Sequence, residues 1–210
     1  MHIKHIINTT AVILGCISTF SANSALKDRG NGLIYDSTLN ITWVRDANLP
    51  KTSGYDSDGI LSYQEAIDWV SNLSFAGYTD WRLPSAVNQF SSALCTGNGC
   101  SESELGNLFY VSLGGISGDP IPASPLFSNV VNDVYWSITE PPFTYFSYLW
   151  FDLRNGIQAG PGLYQPNFYA WAVRDGDSLP VPELPTTYLM IIGAGCLYSL
   201  TRQRRSTQSI

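Results

Sequence analysis

Residues 62–84 read SYQEAIDWVSNLSFAGYTDWRLP. Ser62 followed three residues later by Glu65 is a capping box, in which each side chain satisfies a backbone N–H at the start of a helix. Tyr63, Ala66, Ile67, Val70 and Leu73 then recur at the helical period and define one apolar face, with Trp69 on its flank. Gly77 can adopt the left-handed conformation that stops a helix. The spacing therefore predicts a helix over Ser62 to Gly77. The block from Gly77 to Pro84 has no such period. It predicts a tight exit, a buried Trp81 and Leu83, and a proline that sets up the next element. Asp80 and Arg82 are expected to pair with each other or to cap backbone groups, a structural role rather than a catalytic one.

Strands flank this helix on both sides. Gly32 to Asp36 and Ile41 to Arg45 are short β-prone runs, and Ser37 to Asn40 between them supply turn chemistry, so a hairpin is expected. Downstream, Ser85 with Val87, Phe90 and Leu94 predicts a second helix. Ser101 with Glu104 makes another capping box ahead of Leu105, Leu108 and Phe109, which predicts a short third one. Gly114 to Pro125 reads as a shaped surface loop. Val134 to Ser137 and Tyr148 to Leu153 read as strands, and Asn155-Gly156 is a hairpin signal leading to a return strand at Ile157. Tyr169 to Arg174 alternates large and small, as a strand with one face on a core does. An N-terminal hairpin, two or three short helices and C-terminal antiparallel strands give an α+β fold with neighbouring termini.

Both ends of the chain read as addresses. In residues 1–25, Lys4 precedes an apolar run from Ile6 to Phe20 and small residues from Ala22 to Ala25, the pattern of a secretory signal peptide. Ile13-Leu14-Gly15-Cys16 offers an alternative, a lipoprotein box in which Cys16 is lipidated. At the other end, residues 181–210 contain Val181, Pro182, Glu183, Leu184 and Pro185, an apolar run from Tyr188 to Leu200, and then Arg202, Arg204 and Arg205. Thr186 to Thr201 is 16 residues, short of the roughly 20 that span a bilayer. The arginines would stay on the cytoplasmic side. Such a marginal span suits a temporary stop.

Between these ends lies one domain, residues 26–180. It holds seven Lys or Arg against sixteen Asp or Glu, a formal charge of −9. That balance disfavours nucleic acid, which requires a basic footprint. Both histidines, His2 and His5, lie in the leader. The domain therefore lacks the base of Ser-His-Asp and Cys-His catalysis and the commonest transition-metal ligand. Cys95 and Cys100 are its two cysteines, and in an oxidising compartment they are expected to form a small disulfide loop.

Two stretches are candidate binding sites. Asp56-Ser57-Asp58-Gly59 offers two carboxylates for calcium if a third acid, Asp133 or Asp152, joins Asp56 and Asp58. The same residues also read as a solvated Asx turn. Phe143, Tyr145 and Tyr148 belong to an aromatic loop that would stack on sugar faces if exposed, or pack at the rim of the core if not.

Two resemblances follow from these residues. The C-terminal tail resembles the PEP-CTERM sorting signal of Gram-negative bacteria, with Leu184 inserted before Pro185. This implies an exosortase-type processing enzyme as partner, a transient inner-membrane anchor, and a final place at the cell surface, outer membrane or extracellular matrix. The run from Gly32 through Trp43, the helix with Ala66, the Gly77 to Pro84 block, Ser103-Glu104-Leu105, Tyr135-Trp136-Ser137 and Ala170 to Gly176 resemble, in that order, the Lcl C-terminal domain family. The likeness spans about residues 30 to 177. Asn107 stands where histidine is expected in many relatives. The resemblance implies a C-type-lectin-like architecture related to formylglycine-generating enzymes, and it brings no activity with it. The expected function is a non-enzymatic surface or matrix protein that binds a polysaccharide or a surface partner, without a cofactor unless calcium. The alternative is an enzyme of the formylglycine-generating type, with Cys95 and Cys100 as its reactive pair, or another enzyme on a lectin-like fold.

Overall fold

A computed structural model describes residues 25–87, 91, 93–140, 148–160 and 166–178. The leader, the C-terminal tail, and the aromatic-loop residues Phe143 and Tyr145 lie outside the described residues. Among those described, no helix is long and apolar enough to cross a membrane.

The fold is α+β. Its first sheet contains β1 (Leu26–Gly30), β2 (Leu33–Asp36), β3 (Ile41–Val44) and β9 (Val173–Asp175), in the order β1-β2-β3-β9 and antiparallel throughout. The expected hairpin is β2–β3. The first and last strands of the domain share this sheet, and Arg29 pairs with Asp177 across it. Neighbouring termini are therefore a property of the fold. The second sheet contains β4 (Ile60–Leu61), β5 (Val134–Trp136), β6 (Trp150–Asp152), β7 (Ile157–Ala159) and β8 (Phe168–Tyr169), in the order β4-β8-β5-β6-β7. Its pairings are antiparallel except β5 with β8, which run parallel.

One expected strand serves both sheets. Instead of a continuous Tyr169–Arg174 strand, the chain leaves the second sheet after Tyr169 and joins the first at Val173. Ala170 and Ala172 are buried on the crossing. Their small side chains let the backbone pass between the sheets, and Trp171 fills the space they leave. Trp171 is fully buried, donates its indole N–H to Val44 O at 2.7 Å, and meets Trp43 and Phe127 edge-on.

Helix α2 spans Tyr63–Ser71 and carries the expected capping box between Ser62 and Glu65. It buries Tyr63, Ala66, Trp69 and Val70. It stops earlier than predicted, at Asn72. Gly77 serves a separate two-residue turn: Phe75 and Tyr78 exchange both backbone hydrogen bonds, with Ala76 and Gly77 at φ 52° and 86°. That is the left-handed pair a tight hairpin turn requires. Trp81 and Leu83 are buried as expected, and Pro84 is buried beside them.

The middle of the chain departs most from the sequence reading. The described part of the Ser85–Leu94 segment is not helical; Val87 bridges Leu94 antiparallel. Helix α3 (Glu104–Gly106) is capped by Ser103, not Ser101, and runs on into a π-helical turn, Asn107–Ser112. Glu104 does not reach back to a cap. It is fully buried and accepts a bidentate pair of hydrogen bonds from Arg82. Asp80 and Arg82 do not pair with each other either. Asp80 takes Arg174, while Arg82 takes Glu104 and Asp175. Each has a bidentate partner from elsewhere in the fold: both Asp80 oxygens accept from Arg174, and Arg82 donates to both Glu104 oxygens.

The Cys95–Cys100 disulfide is present, with Cα atoms 5.6 Å apart. Its loop docks on β7: Gly97 and Gln158 exchange backbone hydrogen bonds, and Gln158 Nε2 donates to Cys95 O. Closing so short a loop restricts the unfolded chain by about 2 kcal/mol.

Asp36 ends β2 fully buried. Burial raises its carboxyl above the ordinary range, offset in part by N–H groups donated from Thr38 and Leu39. A raised carboxyl favours the fold below the ordinary Asp range and loses that contribution as pH rises through the folded value. An Asp36→Asn amide keeps the acceptor for both N–H groups. The variant is therefore expected to be more stable than the parent at neutral pH, with the gap closing in acid. Urea melts at pH 7 and pH 4 would show this, and a variant less stable at pH 7 would refute it.

Candidate functional site

A cleft opens between α1 (Leu49–Thr52), the loop before β5 and the end of the Gly/Pro-rich excursion. It comprises two hollows, or lobes, on either side of Val130, which lines both. The first, about 280 Å³, is lined by Leu113, Ile121, Phe127 and Trp171, with Ser124 and Asn132 as polar groups. The second, about 460 Å³, is lined by Asn48, Lys51, Thr52, Asn129 and Val131. Small-molecule sites commonly occupy ~300–1,000 Å³ and combine an apolar wall with a few placed polar groups.

Asp46 holds the two sides of the cleft together. Its carboxylate accepts from Asn48 N at 2.9 Å, Thr52 Oγ1 at 2.7 Å and Asn129 Nδ2 at 2.9 Å. The backbone adds Ala47 N to Ser128 O and Ser128 N to Arg45 O, at 2.9 and 3.0 Å. The walls are thus fixed by a carboxylate whose oxygens are already engaged. Asn48 is 5% exposed, and its Oδ1 has no hydrogen-bond partner among the described residues. Gly59 lies so close that a Cβ there would collide with Asn48 Oδ1.

Lys51 is exposed on the rim. It forms no ion pair among the described residues, whereas Arg29, Arg45, Arg82, Arg154 and Arg174 each do. The lining residues include no carboxylate, histidine or cysteine. What they offer is hydrogen-bond donors and acceptors, an apolar floor and one cation.

The site residues expected from sequence fall elsewhere. Asp56 Oδ1 accepts from the N–H groups of Asp58 and Gly59, at 2.9 and 2.7 Å, and Asp58 Oδ1 accepts from Ile60 N at 2.9 Å. These are Asx-turn contacts, and the backbone donors hold the Asp56 carboxyl below its ordinary range. Asp133 and Asp152 meet at Arg154. Among the described residues, no group of three or more His, Cys, Asp or Glu gathers where an ion would sit. Tyr148 is partly buried and stacks on Tyr63 at 3.3 Å between ring centroids. It packs against the core around α2.

Sequence reasoning missed the cleft. Its second lobe joins Asn48–Thr52 to Asn129–Val131, segments roughly eighty positions apart, and no local motif marks either side. The nearest signal is the Gly/Pro-rich excursion, read as a shaped loop without a purpose.

No curated protein and no solved structure matches the chain. A model of the Lcl C-terminal domain matches residues 32–174. That range runs from just ahead of β2 into β9, and so takes in both sheets, α2, the buried Arg82–Glu104 pair and every residue that lines the cleft. The chain belongs to the Lcl C-terminal domain family.

Proposed function

We propose that this chain is exported and acts as a non-enzymatic recognition domain at the cell surface or in the extracellular matrix, binding a polysaccharide. The observation that carries this reading is the cleft. Its accessible apolar lining of Leu113, Ile121 and Val130 and its rim of asparagine amides and hydroxyls suit a ligand with apolar C–H faces and many hydroxyls. The disulfide is consistent with an oxidising compartment. In this reading the fold is C-type-lectin-like, and residues 181–210 are a PEP-CTERM-type signal. An exosortase-type enzyme removes it after a temporary stop in the inner membrane.

The test starts from the full chain made in its own cell. Its intact mass is measured from the surface fraction, before and after reduction, and the same material is passed over the cell's extracellular polymer. Loss of both ends, a gain of two hydrogens on reduction, and retention on the polymer are expected. Silence on a glycan array together with no retention would overturn the binding reading. For the formylglycine-generating alternative, two free thiols in the exported protein would be the supporting result.

A further inference from the structure

We infer that the cleft recognises a largely neutral sugar chain through one carboxylated unit, held by Lys51. This rests on the polysaccharide reading above and assigns the site and the ligand chemistry within it.

Charge selects the class. The domain carries −9 overall, so a densely anionic polymer meets repulsion across most of its surface. Each arginine among the described residues already faces a carboxylate. Lys51 does not, and it stands at the mouth of a concave site. The nearby Asp46 carboxylate is occupied by Asn48 N, Thr52 and Asn129. One uncompensated ammonium matches one carboxylate, with neutral sugar on either side.

The remaining lining fits the neutral part. Asn129 and Asn132 present amides that both donate and accept, as sugar hydroxyls require. Leu113, Ile121 and Val130 are the accessible apolar residues of the first lobe, where a pyranose C–H face would rest. The acidic unit is assigned to the lobe that holds Lys51, and neutral sugar to the neighbouring lobe across Val130.

The test uses the full chain in detergent and two probes, a xylo-oligosaccharide bearing one glucuronic acid and the same oligosaccharide with its carboxyl reduced to the alcohol. Binding is followed by calorimetry for the parent, Lys51→Gln and Lys27→Gln. Lys27 lies on β1 and controls for the charge change alone. The acidic probe is expected to bind more tightly, and Lys51→Gln to weaken it about fivefold, the scale of an exposed ion pair. Lys27→Gln and the reduced probe should show no such loss. Asn132→Ala should weaken both probes. Equal binding of both probes, or equal effects of the two lysine changes, would overturn the inference. So would retention on the cell's own polymer that is indifferent to Lys51→Gln and Asn132→Ala, although the polysaccharide reading would survive. Failure to bind that polymer at all would remove the reading itself.

Discussion

Arg82→Ala is expected to cost about 3–5 kcal/mol of folding stability, the largest effect of any single charged residue here. Arg82 Nη1 and Nη2 lie 2.8 and 2.7 Å from the two oxygens of Glu104, which is fully buried. Glu104 also accepts from Ser85 N at 2.8 Å. Arg82 reaches on to Asp175 at 2.5 Å. Burial opposes the charge on Arg82, but the Glu104 and Asp175 carboxylates more than offset it, and the guanidinium is held charged above its ordinary range. Truncating Arg82 strands the Glu104 carboxylate in the interior. The loss corresponds to a Tm lowered by roughly 10 °C in a domain of this size. Glu104→Ala is milder, because Arg82 is partly exposed and keeps Asp175. Arg82→Met together with Glu104→Leu should recover much of the loss, since two apolar groups leave no buried charge unmet. Chemical denaturation of the parent and these three variants tests the predicted order of stabilities. A loss below about 1 kcal/mol for Arg82→Ala would show that the pair is not a keystone of the fold.

Trp171→Ala is expected to be as damaging, at about 3–5 kcal/mol. The indole is fully buried at the point where the chain crosses between sheets, and it contacts Trp43, Phe127 and Tyr135. Its removal leaves a cavity and an unpaired Val44 carbonyl. Trp171→Phe keeps much of the volume and loses the N–H, so a smaller loss of about 1–2 kcal/mol is expected. Trp171 also backs the first lobe of the cleft, so the cavity left by Trp171→Ala should disturb that lobe more than Trp171→Phe does. If Trp171→Ala melted with the parent, the packing role assigned to the crossing would be wrong.

Local signals account for what was legible in advance. The Ser62–Glu65 box lies within one helical turn, and the β2–β3 hairpin closes over a four-residue turn, so neighbouring residues decide both. The Cys95–Cys100 loop is local for the same reason. The failures share a different cause. Glu104 satisfies a capping pattern in sequence, yet Arg82 offers it a stronger, bidentate, charge-assisted partner in the interior. Tyr169 to Arg174 keeps a strand's alternation, yet the packing of two sheets on Trp171 breaks it in the middle. Gly77 is left-handed as expected, in a turn that the helix period did not reveal.

The sequence by itself determined an α+β domain with a capped helix, a β2–β3 hairpin, a disulfide clip and an acidic surface poor in catalytic bases. Each of these depends on residue type and short spacing. Only the tertiary structure decided that Asp80 and Arg82 take separate partners and that the last strand pairs with β3. It alone placed Asn48, Lys51, Asn129 and Asn132 around one cleft. Those contacts join residues separated by twenty to more than one hundred positions, and their choice rests on burial and charge pairing that a linear pattern does not encode.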